Sequence, residues 1–148
     1  MGMKSIPVLF VLALAVSGCA TEDGSNTPTE PSVNVPFSTT DLRIGTGAEA
    51  TLGRTVAVNY TGWLYSTSAV DNKGTMFDNS LSPGRTPFVF TVGTGVIQGF
   101  SLGTVGMRVG GQRRVIVPPS LGYGSQGSGA AIPPNATLIF ELELLAVQ

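Results

Sequence analysis

The side chains that most often carry chemistry are nearly missing from this chain. It has no histidine, and its one cysteine, Cys19, stands close to the N-terminus. Histidine-ligated metal sites and Ser-His-Asp or Cys-His catalysis are excluded. An intramolecular disulfide cannot form, and any reaction must run without the commonest acid–base side chain. Gly103, Gly106, Gly110 and Gly111 invite a phosphate-loop reading, but no Lys-Ser or Lys-Thr follows them and they do not lead from a strand into a long helix. Arg113 and Arg114 are adjacent; in a strand they point to opposite faces and read as surface charges rather than a nucleic-acid patch. A net charge of −1 without a basic stripe speaks against nucleic acid as a partner. No metal or cofactor site is expected.

The elements available to position polar groups are mainly strands. Charged residues are only 11 % of the chain, against 20 glycines, 10 prolines and 42 % apolar residues. That balance supports a core built from short strands joined by tight turns. From Arg54 to Tyr65 the residues alternate, with Val56, Val58 and Tyr60 on one face and Ala57, Asn59 and Thr61 on the other. Pro87 to Val92 repeats the pattern through Phe88, Phe90 and Val92, and Arg113 to Val117 is a β-branched strand closed by Pro118-Pro119. Thr137 to Val147 sets Leu138, Phe140, Leu142 and Leu144 against Glu141 and Glu143. Such alternation suits antiparallel strands with one buried face. Only Val96 to Val105 has helical spacing, through Ile97, Phe100, Thr104 and Val105, and Gly99 and Gly103 weaken it. The pattern predicts a small antiparallel α+β domain over residues 40–148, with no internal repeat.

The N-terminus reads as an address. Lys4 supplies a positive charge, and Ile6 to Val16 is apolar apart from Pro7. This run is short of the roughly 20 residues a bilayer-spanning helix needs, so residues 1–18 read as a signal peptide. It ends in Val16-Ser17-Gly18-Cys19, which resembles a lipobox; the resemblance implies that Cys19 is lipidated and becomes the mature N-terminus. Residues 19–39 are rich in Thr, Ser, Pro, Glu and Asn and are expected to form a disordered tether. The expected location is the cell envelope, anchored to a membrane by lipid. In a Gram-negative cell, Ala20 after the cysteine favours the outer membrane.

Within the β-rich part, ordered blocks carry a second resemblance. They are Val58-Asn59-Tyr60-Thr61-Gly62, Phe77-Asp78-Asn79-Ser80, Pro87-Phe88-Val89-Phe90, Gly95-Val96-Ile97-Gln98-Gly99-Phe100 and Gly106-Met107-Arg108-Val109-Gly110-Gly111-Gln112-Arg113-Arg114. A last stretch runs from Pro118-Pro119-Ser120-Leu121-Gly122-Tyr123-Gly124 through Ile132-Pro133-Pro134 to Leu138-Ile139-Phe140-Glu141. In this order they resemble the FKBP-type peptidyl-prolyl cis–trans isomerases, from Asp41 to Gln148. The resemblance implies a five- or six-stranded antiparallel sheet curled around one short helix. It implies a proline pocket lined by Tyr60, Phe77, Asp78, Phe88, Val96, Ile97, Phe100, Tyr123, Ile132 and Phe140. Three of these are implied catalytic groups: the Ile97 backbone N–H and the Tyr123 hydroxyl hold substrate carbonyls, and Asp78 interacts with the twisting amide or with Tyr60. Asp78 also suits a turn cap before Asn79-Ser80.

The implied partners are proline-containing polypeptides and, as inhibitors, macrolides. The reaction needs no nucleophile, metal or cofactor, because it only rotates a C–N bond against a barrier of about 18–20 kcal/mol. The alternative is a non-catalytic proline-binding or chaperone module; the presence of both Asp78 and Tyr123 favours catalysis. The chain departs from the family pattern at Phe100, where tryptophan is frequent, and at Ser128 and Ala131 in the loop after Tyr123. It also carries about seven extra residues between Tyr60 and Phe77, so that Ser66 to Gly74 is expected to be an exposed loop or bulge.

Overall fold

The computed structural model describes residues 34–148. Cys19, the expected signal peptide and most of the expected tether lie outside the described residues. Six strands and one helix follow in chain order: β1 Ser38–Arg43, β2 Thr55–Tyr65, β3 Lys73–Asn79, β4 Phe88–Thr91, α1 Gln98–Thr104, β5 Gln112–Val117 and β6 Leu138–Val147. All pairings are antiparallel, in the order β1-β5-β6-β2-β3. β4 shares an edge of β2 with β3, pairing Thr55–Val58 while β3 pairs Thr61–Tyr65. The resemblance implies five or six antiparallel strands with one short helix, and the sheet has six. Among the described residues no helix is long and apolar enough to cross a membrane.

The alternating patterns place the core where expected. Val56, Val58 and Tyr60 on β2, Val115 and Val117 on β5, and Leu138, Phe140, Leu142 and Leu144 on β6 are all buried. Facing them is α1, two residues shorter at its start and one at its end than the sequence pattern predicts. Ile97 and Val105 leave the helical region, with ψ of 145° and 131°. Its two glycines cost about 1 kcal/mol each in helix propensity relative to alanine, yet packing demands them. A Cβ on Gly99 would lie 2.3 Å from Val117 Cγ1, and one on Gly103 would lie 2.6 Å from Val115 Cγ2. The helix thus sits directly on β5 through a side-chain-free seam.

Three details differ from the sequence expectations. β1 starts at Ser38 and Phe37 packs against the core, slightly before the predicted domain start at residue 40. All six β1 residues are exposed, so the strand has no apolar alternation to reveal it and is held by pairing with β5. Second, the insertion between Tyr65 and β3 is a bulged excursion over 66–72, whereas Lys73 and Gly74 belong to β3. Asp71 and Asn72 take left-handed backbone with φ of 55° and 58°, a region these residue types tolerate better than most. Trp63, just before the excursion, is half-buried beneath the Lys73 ammonium, which lies 4.6 Å from its ring centroid. Third, Arg113 is not a surface charge: its side chain is only 13 % exposed and bonds to β1 and to the end of α1.

Candidate active site

Phe100, in the first turn of α1, is 4 % exposed and forms the floor of an aromatic cluster. Its ring lies 5.4 Å from Tyr60, 6.0 Å from Phe88, 5.4 Å from Phe90 and 5.1 Å from Phe140, each at a steep interplanar angle. Edge-to-face pairs of this kind contribute about 0.5–1.5 kcal/mol each beyond burial. Phe77 joins from β3, with its ring 5.6 Å from Phe140. Its approach requires Gly62: a Cβ there would lie 2.6 Å from Phe77 Cζ and 3.0 Å from Phe140 Cε1.

Above this floor is a cavity of about 170 Å³ lined by Tyr60, Phe77, Asp78, Phe88, Gly95, Val96, Ile97, Phe100, Tyr123 and Phe140. The structure therefore brings together every predicted lining residue except Ile132, and adds Gly95. Ile132 is 5 % exposed and packs in the core. Its backbone closes the loop after Tyr123 by exchanging hydrogen bonds with Ser128, with N–O distances of 2.8 and 3.1 Å.

One polar group dominates the rim. Asp78 Oδ2 accepts a short hydrogen bond from the Tyr60 hydroxyl. Its Oδ1 accepts from Arg85 Nη1 at 2.5 Å and from the Asn79 backbone N–H at 2.8 Å. The carboxylate therefore serves both Tyr60 and the local turn. Ser80 sets this geometry: its Oγ accepts from the Tyr60 backbone N–H at 2.8 Å and its own N–H donates to the Tyr60 carbonyl at 2.9 Å. Burial pushes the Asp78 carboxyl upward, but the bonds from Tyr60, Arg85 and the Asn79 N–H outweigh it and hold the group below the ordinary carboxylate range. The Tyr60 hydroxyl is pushed up to about 12, first by burial and then by the bond to the Asp78 anion. Burial also raises Tyr123, with a further contribution from the charge on Asp78.

The polar groups facing the cavity are thus a carboxylate already compensated by Arg85, two protonated phenols and backbone. Among the described residues, no acceptor is hydrogen-bonded to the Ile97 N–H at the mouth of α1. Nor do the described residues include a cluster of three or more His, Cys, Asp or Glu side chains able to hold a metal ion. Sequence reasoning missed Arg85 and the role of Ser80. Arg85 sits in an exposed turn seven positions beyond Asp78, and only the return of the chain toward β4 brings the pair together.

The model of the FKBP-type peptidyl-prolyl cis-trans isomerase domain matches residues 47–145. The chain belongs to this family. Over 108 residues it is 48 % identical to an FK506-binding protein of Neisseria meningitidis serogroup A / serotype 4A, covering 72 % of this chain and 92 % of the relative. FK506-binding protein 2 of Dictyostelium discoideum is 36 % identical over 146 residues, 98 % of this chain and 99 % of the relative. The crystal structure of FkpA from Escherichia coli is similar with a TM-score of 0.65 and 38 % identity, over 76 % of this chain and 48 % of that one. Membership of the FKBP-type isomerases agrees with a cavity that has apolar walls and few charged groups: the reaction of this family makes and breaks no covalent bond. Its substrates are X–Pro bonds, whose uncatalysed exchange takes tens to hundreds of seconds.

Proposed function

We propose that the cavity over Phe100 takes the prolyl ring of an extended polypeptide, with the X–Pro bond lying across the rim between Asp78, Ile97 and Tyr123. The carrying observation is the aromatic floor flanked by those three polar groups. The prolyl ring has no N–H to satisfy, so apolar walls desolvate it at little cost. In this reading the Ile97 N–H and the Tyr123 hydroxyl hold the carbonyls on either side. Asp78 acts on the twisting amide while it fixes Tyr60 against Phe88. Groups that fit the twisted amide better than either planar isomer lower the barrier by differential binding. The test is a prolyl-isomerisation assay on the fragment Thr21–Gln148 with X–Pro peptides. Acceleration is expected, strongest with an apolar residue before proline, and a macrolide inhibitor should block it. Exchange at the uncatalysed rate from a folded fragment would favour a binding module instead.

The same reading extends to location. Cys19 is proposed to be acylated after cleavage behind Gly18, anchoring the domain at the extracytoplasmic side of a membrane. Support comes from the short apolar run, the small residues before the cysteine and the polar stretch after it. A flexible tether of about twenty residues would hold the domain roughly 25 Å from the bilayer. Detergent-phase partitioning of the wild type, lost in Cys19→Ser, is the expected result. A mature N-terminus other than Cys19 would overturn the anchor while leaving the isomerase intact.

A further inference from the structure

The helix that supplies one wall of the pocket depends on tertiary contacts to hold it in place. α1 is seven residues long, has no side-chain cap at its start and carries no basic residue in its last turn. An isolated helix of this length does not persist in water. The first turn of α1 is held by Phe100 in the aromatic cluster and by Ser101 Oγ, which accepts from the Gly93 N–H at 2.6 Å, and the helix rests on β5 through the seam of Gly99 and Gly103 on Val117 and Val115.

Arg113 ties down the other end of the helix. It precedes Val115 and Val117 on the helix-bearing face of β5, and its guanidinium bonds to two other elements. Nη1 donates to the Gly103 carbonyl at 3.1 Å and to the Val105 carbonyl at 2.9 Å. Nε donates to Asp41 Oδ1 on β1 at 2.6 Å. Carbonyls at a helix C-terminus lack intrahelical partners and carry the negative end of the dipole. A planar cation with several fixed donors satisfies both needs and sets the orientation. The far end of the same helix presents Ile97 and Phe100 to the cavity.

We propose that Arg113 is a positioning residue of the prolyl pocket: anchored by Asp41, it fixes α1 on β5 so that Val96, Ile97 and Phe100 form the wall that binds the prolyl ring. This rests on that cavity being the isomerase site.

The test uses the full chain in mild detergent, assayed well below the unfolding temperature of each variant. Arg113→Met keeps the stem and removes the donors. Its kcat/KM should fall about tenfold, mainly through KM, since small displacements of positioning groups cost this much or more. Arg113→Lys should recover part of the loss, because it restores the cation without the fork. Methyl resonances of Val96 and Ile97 should move in Arg113→Met while those of Val147 stay in place. A folded Arg113→Met with wild-type kcat/KM and unmoved Val96 and Ile97 methyls would overturn the proposal, even if its stability falls. Should that variant not fold, Asp41→Asn decides: a KM about two- to threefold higher supports the proposal, and a wild-type KM with unmoved methyls rejects it. Moved methyls in a series whose wild type has no isomerase activity would retain the positioning role and reject the site reading.

Discussion

Strands β2, β5 and β6 present two faces that do opposite things. On the helix-bearing face, Tyr60, Val115, Phe140 and Leu142 are buried and the aromatic rings meet edge to face. On the outer face the same strands carry a lattice of charge. Glu141 of β6 lies opposite Thr61 and Arg114; it accepts from Lys73 at 2.6 Å and from Arg114 at 3.0 Å. Arg114 also reaches Asp71 of the excursion at 3.5 Å, and Arg43 pairs with Glu143 at 2.9 Å. A hollow of about 120 Å³ lies on this side among Leu42, Leu81, Glu141 and Glu143, but its carboxylates already have cationic partners. One residue of register separates an apolar pocket from a polar shell, since neighbouring side chains on a strand point to opposite faces. Energy is concentrated on the first face and spread thinly over the second.

The largest effect should come from breaking the aromatic face. Phe140→Ala removes a ring in contact with Tyr60, Phe77 and Phe100 and should cost about 3–5 kcal/mol in denaturant unfolding. A loss below 1 kcal/mol would mean that the cluster is not the structural centre.

Changes at the rim should separate activity from stability. Asp78→Ala leaves the Tyr60 hydroxyl and Arg85 without their shared acceptor, and kcat/KM should fall about tenfold or more. Tyr123→Phe, at a residue 38 % exposed, should lower kcat/KM only a few-fold and leave the unfolding midpoint nearly unchanged. If both variants lose stability as heavily as Phe140→Ala, these residues are core and the site is wrongly placed.

Alkali offers a finer probe of the same rim. The Tyr60 phenol is raised from 10.0 to about 12 in the folded protein, so the folded state holds this proton more tightly than the unfolded one. The stabilisation is complete below about pH 10 and is lost as pH rises towards about 12. A tyrosinate absorbance titration should show a late component that disappears in Tyr60→Phe. Its survival in that variant would assign it elsewhere. Asp78 behaves in the opposite sense. Its lowered value gives stability that is present above the ordinary carboxylate range and is lost as pH falls through the folded value.

The smallest effect belongs to the outer face. Lys73→Met removes the partner of Glu141 and the cation above Trp63, but Arg114 remains on the carboxylate. Less than about 1 kcal/mol should be lost, with kcat/KM unchanged. A clear drop in activity would show that the two faces are coupled.

Much of this architecture was written in the sequence. A period of two with β-branched and aromatic residues on one side identified β2, β4, β5 and β6, because burial on a single sheet face leaves that signature. It failed at β1, where all six residues are exposed and pairing with β5 makes the strand, and at β3, where it showed no strand and Lys73 and Gly74 were expected in a loop. The helix limits were blurred for a related reason: the apolar spacing from Val96 to Val105 reflects burial, whereas the helix itself ends where the backbone of Ile97 and Val105 turns extended.

For the site, the ordered motifs named nine of the ten residues that line the cavity, although the block from Gly106 to Arg114 contributes none of them. What the chain order does not contain is the meeting of groups distant along it. Ile132 has the apolar character of a lining residue, yet the tight loop it closes with Ser128 turns it into the core. Arg85 reads as a solvated turn residue until β3 and β4, sharing one edge of β2, bring it onto Asp78. Arg113 looks like the twin of Arg114. The alternation of β5 sends one inward to the end of α1 and the other outward to Glu141, and which face the helix covers is decided only when β5 and α1 pack. Residue type and period determine which side chains are buried and which carry charge. Tertiary packing determines which of them meet, because those contacts depend on strand order and register, not on neighbours in the chain.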